Sequence, residues 1–235
     1  MIELRHINHF NGASMKIIAR IYTEFDEKFG IPRQSGLVKE TVGKLVFEPE
    51  YRVREAFRGI EGYSHLWLIW QFSEATRDSW SPTVRPPRLG GNKRMGVFAT
   101  RSPYRPNPIG LSSVRLVGVD EDPTLGTVLT VSGADLLDGT PIYDIKPYLA
   151  YTDSHPEAIG GFADPVRDYS LKIVFPKELL EKVEEEKREP LKALLADDPR
   201  PSYQDDPERE YGMTFSDYEI FFKVADGTLT VTNVK

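Results

Sequence analysis

Between residues 16 and 145 the chain repeatedly makes short apolar or β-branched runs and then breaks on turn chemistry, and no other feature narrows its fold so much. The runs are 16–22, 44–48, 66–72, 95–100, 114–119, 127–131 and 142–145. Phe29-Gly30, Leu89-Gly90-Gly91-Asn92, Asp122-Pro123 and Asp138-Gly139 punctuate them. Runs of this length between such turns predict strands that close into a barrel or sandwich. One helical pattern interrupts them over 51–60, where Val53, Ala56, Phe57 and Ile60 share a face before Gly62 stops it.

After Tyr151 the texture changes. Residues 154–164 are small and polar with Gly160-Gly161, as in a linker. Residues 169–175 alternate like a strand, 176–196 follow a helical period that Pro190 should break, and 218–224 with 229–234 form a hairpin about Asp226-Gly227. The expected class is therefore mainly β: a barrel over 1–152, a linker over 153–165 and a small α+β domain over 166–235. If those boundaries hold, the barrel should fold without the tail.

Several chemistries drop out on composition. The longest apolar run, Leu66-Trp67-Leu68-Ile69-Trp70, is far shorter than the roughly 20 residues of a spanning helix, so no membrane role is expected. The start carries Glu3, Arg5 and His6 in place of an export signal, which predicts a cytoplasmic protein. With no Cys and only His6, His9, His65 and His155, thiolate chemistry and metal binding are not expected.

Net charge is −6, yet it is unevenly spread. Residues 79–119 hold Arg85, Arg88, Lys93, Arg94, Arg101, Arg105 and Arg115 and no acid. Ordinary surfaces mix signs, so this segment offers a docking place for a polyanion. Within it, 86–110 combines prolines that stiffen the backbone, glycines that allow close approach and arginines that supply forked donors.

Four blocks carry a resemblance: Pro32-Arg33-Gln34-Ser35-Gly36-Leu37-Val38, Glu61-Gly62-Tyr63-Ser64-His65-Leu66-Trp67, the run 86–110, and Asp138-Gly139-Thr140-Pro141-Ile142-Tyr143-Asp144-Ile145-Lys146-Pro147-Tyr148. In this order they closely resemble the TsaA-like proteins of the TrmO type, and Asp198-Pro199-Arg200-Pro201 in the tail matches as well. The resemblance implies S-adenosylmethionine-dependent methylation of N6 on threonylcarbamoyladenosine 37 of tRNA. It further implies a six- or seven-stranded, non-Rossmann β-barrel holding the cofactor, a small C-terminal domain and a homodimer. The chain agrees in lacking a Gly-rich loop between a strand and a helix.

Carried over by the resemblance, the cofactor contacts are Ser35, Gly36 and Leu37, then Ser73 and Glu74, Arg101, Leu111, and the run Ala134, Asp135, Leu136 and Leu137. A carboxylate such as Asp135 or Glu74 suits a hydroxyl or the ammonium of the cofactor, and Arg101 suits its carboxylate. Two departures from the family stand at Ala19 with Thr23-Glu24, where Gly and Ser-Pro are usual, and at Ser73-Glu74, where relatives can carry His-Gln.

Transfer to N6 releases a proton, so an acceptor near the reacting nitrogen should help. Asp138 and Asp144 are the candidates, with Tyr143 as an orienting hydroxyl, although Asp138-Gly139 is also a standard turn pair. Asn107-Pro108 offers amide and carbonyl oxygens but equally a rigid loop, and His65 on an apolar run reads as a core imidazole. The tRNA anticodon loop is expected at Arg85, Arg88, Lys93, Arg94 and Arg105, with Arg33 near the threonyl carboxylate and Trp80 and Tyr104 as stacking surfaces. Two other readings keep the barrel: a non-catalytic RNA- or nucleotide-binding module, and a small-molecule methyltransferase on the same cofactor site.

Overall fold

The computed structural model describes residues 15–72, 80–86, 93–200 and 206–235. Six strands close a barrel in the order β1-β2-β7-β6-β3-β8: β1 Ala19–Tyr22, β2 Val42–Phe47, β3 His65–Gln71, β6 Ile109–Asp122, β7 Gly126–Ser132 and β8 Thr140–Pro147. Every pairing in it is antiparallel. Alternation explains the closure, since Leu66, Leu68 and Trp70 turn inward while Trp67 and Ile69 are partly exposed, and Ile21, Leu45, Leu129 and Ile142 meet them from other strands.

The register assigns each connection to an end. Ile21 pairs with Thr140, Val42 with Ser132 and Gln71 with Ile109. Hence β1, β3 and β7 end, and β2, β6 and β8 begin, at one mouth. The three connections there, 23–41, 72–108 and 133–139, contain every position to which the resemblance assigns cofactor except Leu111, which is the third residue of β6.

Strand β6 outruns β7 at this mouth. Their pairing starts only at Arg115↔Ser132, whereas β6 pairs with β3 from Ile109 onward. Segment 34–37 occupies the gap: the Ser113 amide donates to Ser35 Oγ (3.1 Å), and the Gly36 amide donates to the Gly133 carbonyl (2.8 Å). Gly36 and Gly133 both have positive φ (78° and 77°), and a Cβ on Gly133 would lie 3.3 Å from the Gly36 Cα. Two glycines therefore let the two backbones meet.

Inside the mouth, Trp70 packs over Gly110, its partner across β3–β6. A Cβ on Gly110 would overlap the Trp70 indole ring. Gly110→Ala should therefore displace that ring and cost about 1–3 kcal/mol of stability, read as a lowered Tm.

The tail forms a second sheet, ordered β10-β11-β12-β9, from β9 Lys172–Val174, β10 Tyr211–Phe215, β11 Tyr218–Ala225 and β12 Thr228–Val234. The β11–β12 turn places Asp226 and Gly227 at φ 46° and 70°, the left-handed pair expected of Asp-Gly. Helix α1 (Ala150–Asp153) follows the barrel, and α2 (Lys177–Leu180) and α3 (Glu185–Ala196) cover the sheet with Leu191, Leu194 and Leu195 buried. The tail's core is not its own alone. Phe25 and Val38, from the connection after β1, are buried in it with Phe215, Ile220, Phe222 and Val231, and Phe29 and Ile31 pack against it.

Four local expectations change. Residues 51–60 form 3-10 turns, Pro49–Tyr51, Arg54–Phe57 and Ile60–Gly62, because Val53 is extended and Gly59 has φ 85° between them. Residues 95–100 make only two strand residues, β5 Met95–Gly96 paired with β4 Thr83–Val84, before a 3-10 turn that buries Val97 and exposes Phe98. The helical break falls over 181–184, which lets Val183 reach the core, and Pro190 lies within α3. Strand β10 is additional to the sequence expectation, its buried Tyr211, Met213 and Phe215 alternating with Gly212 and Thr214.

Candidate functional site

The polar line at the mouth begins in the barrel interior. Trp70 Nε1 donates to Ser112 Oγ (2.9 Å), and Ser112 Oγ donates to Asp135 Oδ1 (2.6 Å). Ser112 is fully buried, an inward-facing polar residue on β6 that would be costly without these partners. Burial pushes the Asp135 carboxyl above the usual carboxylate range, against the opposing pull of Ser112, the Ser35 amide and the Arg101 guanidinium. Arg101 in turn donates to Gln34 Oε1, and Gln34 Nε2 donates to the Arg33 carbonyl.

Ser35, Gly36, Arg101 and Asp135, from three separate connections, are thus brought together. Leu37 and Leu111 flank them with exposed side chains, 45% and 55% accessible. A Cβ on Gly36 would meet nothing within 4 Å, so space opens in front of this backbone. Ala134 and Leu136 are different, since both side chains lie in the barrel core. Their carbonyls accept from Thr41 Oγ1 (3.4 Å) and Thr23 Oγ1 (3.0 Å), and the Leu137 carbonyl accepts from Thr140 Oγ1 (2.6 Å). Ser73 and Glu74 lie outside the described residues. Gln34, Ser112 and Trp70 were not singled out from sequence; a serine at an inward position of an apolar strand was the signal for Ser112.

The acid candidates sit in separate contacts. Asp138 Oδ1 accepts from the Thr23 amide (2.9 Å), and the Asp138 amide donates to the Phe25 carbonyl (2.8 Å), with Gly139 at φ 71°. That is a turn tied to the end of β1, and it also shows what Thr23 does where the family carries Ser. Asp144 pairs with Lys146 Nζ (2.9 Å), and Tyr143 donates to Gln71 Oε1. His65 is a correction: its ring is exposed at the start of β3, the far end from the mouth, with Nδ1 2.9 Å from Ser64 Oγ. The Asn107 carbonyl accepts from the Ile109 amide (2.8 Å), the rigid-loop role.

Of the basic set, Arg85 and Lys93 are exposed, Arg94 donates to Thr83 Oγ1 (2.8 Å) and Arg105 to the Thr100 carbonyl (3.3 Å). Arg88 lies outside the described residues. Trp80 is half exposed and stacks at 6.1 Å on Phe98, itself 71% accessible, while Tyr104 is partly buried. Arg33 turns toward the tail: one terminal nitrogen donates to the Asp198 carbonyl (2.6 Å) and the Arg200 carbonyl (3.1 Å). Among the described residues no group of three or more His, Cys, Asp or Glu is placed to hold a metal, and no described helix is long and apolar enough to cross a membrane.

Comparison with known proteins decides the family. Residues 20–154 match the tRNA-methyltransferase O N-terminal domain, and 168–235 match the TrmO C-terminal domain. The chain belongs to the TrmO family. Among relatives of this TrmO-family chain, the tRNA (adenine(37)-N6)-methyltransferase of Escherichia coli K12 is 41% identical over 224 residues, covering 91% of this chain and 94% of the relative. A Pseudomonas aeruginosa protein that carries the name of an S-adenosylmethionine-dependent methyltransferase is 41% identical over 215 residues, covering 88% and 90%. The crystal structure of TrmO from Pseudomonas aeruginosa superposes with a TM-score of 0.78 at 33% identity, over 97% of this chain and 99% of that one. The family's barrel is thus the barrel described above, and a second TrmO crystal structure agrees at a TM-score of 0.77 and 34% identity, over 94% and 98%.

Proposed function

We propose that this chain transfers a methyl group from S-adenosylmethionine to N6 of adenosine 37 in tRNA, with the threonylcarbamoylated base as acceptor. The observation that carries this is the meeting of Gly36, Arg101 and Asp135 at the mouth of a TrmO-family barrel. The residues there suit the donor's chemistry: a carboxylate for hydroxyl or ammonium, a guanidinium for carboxylate, and Leu37 with Leu111 for an apolar surface. Bound there, the donor supplies an electrophilic methyl on a sulfonium, so no side-chain nucleophile is needed.

The chain's own contribution is then position and charge. Ser35, Gly36 and Leu37, Arg101, Leu111 and the backbone of 134–137 hold the donor, with Ser73 and Glu74 added on the strength of the resemblance. Arg85, Lys93, Arg94 and Arg105, with Arg88, take phosphates of the anticodon loop, which gives affinity with little sequence information. Asp138, Asp144 and Tyr143 are the proposed group for the departing proton, Asp138 having one carboxylate oxygen already engaged by the Thr23 amide. A cytoplasmic homodimer completes the reading, because reduced compartments and tRNA coincide there and the family resemblance implies two copies.

Nucleoside mass analysis tests donor, acceptor and activity together. After incubation with S-adenosylmethionine and tRNA bearing threonylcarbamoyladenosine, the modified nucleoside should gain one methyl group. Unchanged tRNA would overturn the proposal.

A further inference from the structure

The 197–200 turn at the end of α3 is tied down by its own side chains. Asp198 has φ 55°, a left-handed conformation uncommon outside glycine, and is only 6% accessible. Its carboxylate receives Arg200 Nε (2.9 Å), Arg200 Nη2 (3.0 Å) and the Tyr169 hydroxyl (2.8 Å). Burial alone would raise the Asp198 carboxyl, but the Arg200 pair and Tyr169 outweigh it and hold it below the usual range. Pinned from its side chain, the turn aims two backbone carbonyls, those of Asp198 and Arg200, at one nitrogen of Arg33. The Arg33 amide adds a 3.4 Å contact to Asp197 Oδ2.

Beyond Arg33 the contacts run directly into the barrel mouth. The Arg33 carbonyl holds Gln34 Nε2, and Gln34 Oε1 holds Arg101. Residues Ser35 and Gly36 follow at once, bonded to Ser113 and Gly133. On either side, Ile31 packs against the tail's core and Val38 is buried in it. The loop is therefore gripped by the C-terminal domain at one edge and by the barrel at the other.

We propose that Arg33 is a positioning residue through which the C-terminal domain sets the geometry of the donor site, held by the Asp198 and Arg200 carbonyls so that Gln34 can carry Arg101. This rests on the assignment of donor contacts under Proposed function, and it assigns Arg33 an internal task in place of a contact with the threonyl carboxylate. An arginine suits it, because one terminal nitrogen carries two N–H donors fixed in the guanidinium plane, one for each carbonyl, where a lysine ammonium rotates freely. The consequence is that the C-terminal domain acts on donor affinity without touching the donor.

The test is calorimetric titration of the full chain with S-adenosylhomocysteine for wild type, Arg33→Ala, Gln34→Ala and the double variant, alongside KM for tRNA. Losing charged hydrogen bonds at this position should weaken S-adenosylhomocysteine binding by roughly ten- to hundredfold. The KM for tRNA should stay within about twofold, and the double variant should lose no more than the worse single one, because the two residues act in series. Unchanged affinity in Arg33→Ala, or losses that simply add, would overturn the proposal. Should Arg33→Ala fail to fold, Arg33→Lys replaces it, with a smaller loss expected and wild-type affinity as the contrary result. Hydrogen exchange of the Gly36 amide, bonded to Gly133, gives a readout free of any ligand: Arg33→Ala should speed it about tenfold or more, and unchanged exchange overturns the positioning role of Arg33. A wild-type chain that does not bind S-adenosylhomocysteine would instead refute the donor-site assignment, and the Gly36 exchange would still decide whether Arg33 positions the loop.

Discussion

Replacing Asp135 with Asn is expected to weaken S-adenosylhomocysteine binding by roughly ten- to hundredfold, the range for a lost charged hydrogen bond, while leaving the protein at least as stable. The two effects separate because the carboxylate is stabilised poorly where it stands. Burial raises its folded-state pKa above that of the unfolded chain. Ionisation then costs stability at neutral pH, and that cost disappears as pH falls through the raised pKa toward the unfolded value of about 3.9. Donor affinity that needs the charge is lost across the same window, which opens above the usual carboxylate range. Wild type should therefore bind more weakly and melt higher, as far as this group is concerned, on acidification. Asp135→Asn should be flat in both over that window. Calorimetry and thermal melts at several pH values check it, and an Asn variant that binds like wild type removes Asp135 from the site.

Deleting residues 166–235 is expected to leave a chain that is insoluble or binds hydrophobic dyes, with no measurable donor affinity. The boundary read from sequence predicts the opposite, a barrel that folds alone. The difference lies in Phe25 and Val38, which are 2% and 1% accessible and are buried in the core that the tail's residues form. At about 1.5–3 kcal/mol for each buried side chain, uncovering the pair costs about 3–6 kcal/mol, a large share of a typical domain's stability. The same deletion removes the carbonyls that hold Arg33. Light scattering, dye binding and calorimetry on the truncated chain read all three effects, and a soluble fragment with full-length affinity would contradict them.

What was legible in the sequence follows from how local each signal is. Strands β3 and β7 could be read because their apolar alternation needs no partner to be seen, and the Asp226-Gly227 turn because its backbone demand is local. Residues 95–100 misled because β-branched and aromatic content marks strands only when a partner strand exists, and β4 supplies just two residues. The 51–60 stretch keeps helical spacing, but extended Val53 and Gly59 at φ 85° divide it into separate 3-10 turns.

The site divides the same way. Motif resemblance pointed to Gly36, Arg101 and Asp135, and the mouth gathers them, yet nothing along the chain could say that β6 extends past β7 and that 34–37 fills the gap. Arg33 follows the same pattern. A charged residue beside a binding motif reads as a ligand contact, and nothing local to it shows that one of its terminal nitrogens donates to two backbone carbonyls, 165 and 167 residues away.

The most direct test of the central claim is a crystal structure of the full chain with S-adenosylhomocysteine. The ligand should lie against Gly36 at the mouth, within hydrogen-bond reach of Arg101 and Asp135. Density for it at the far end of the barrel, or on the tail's sheet, would contradict the account.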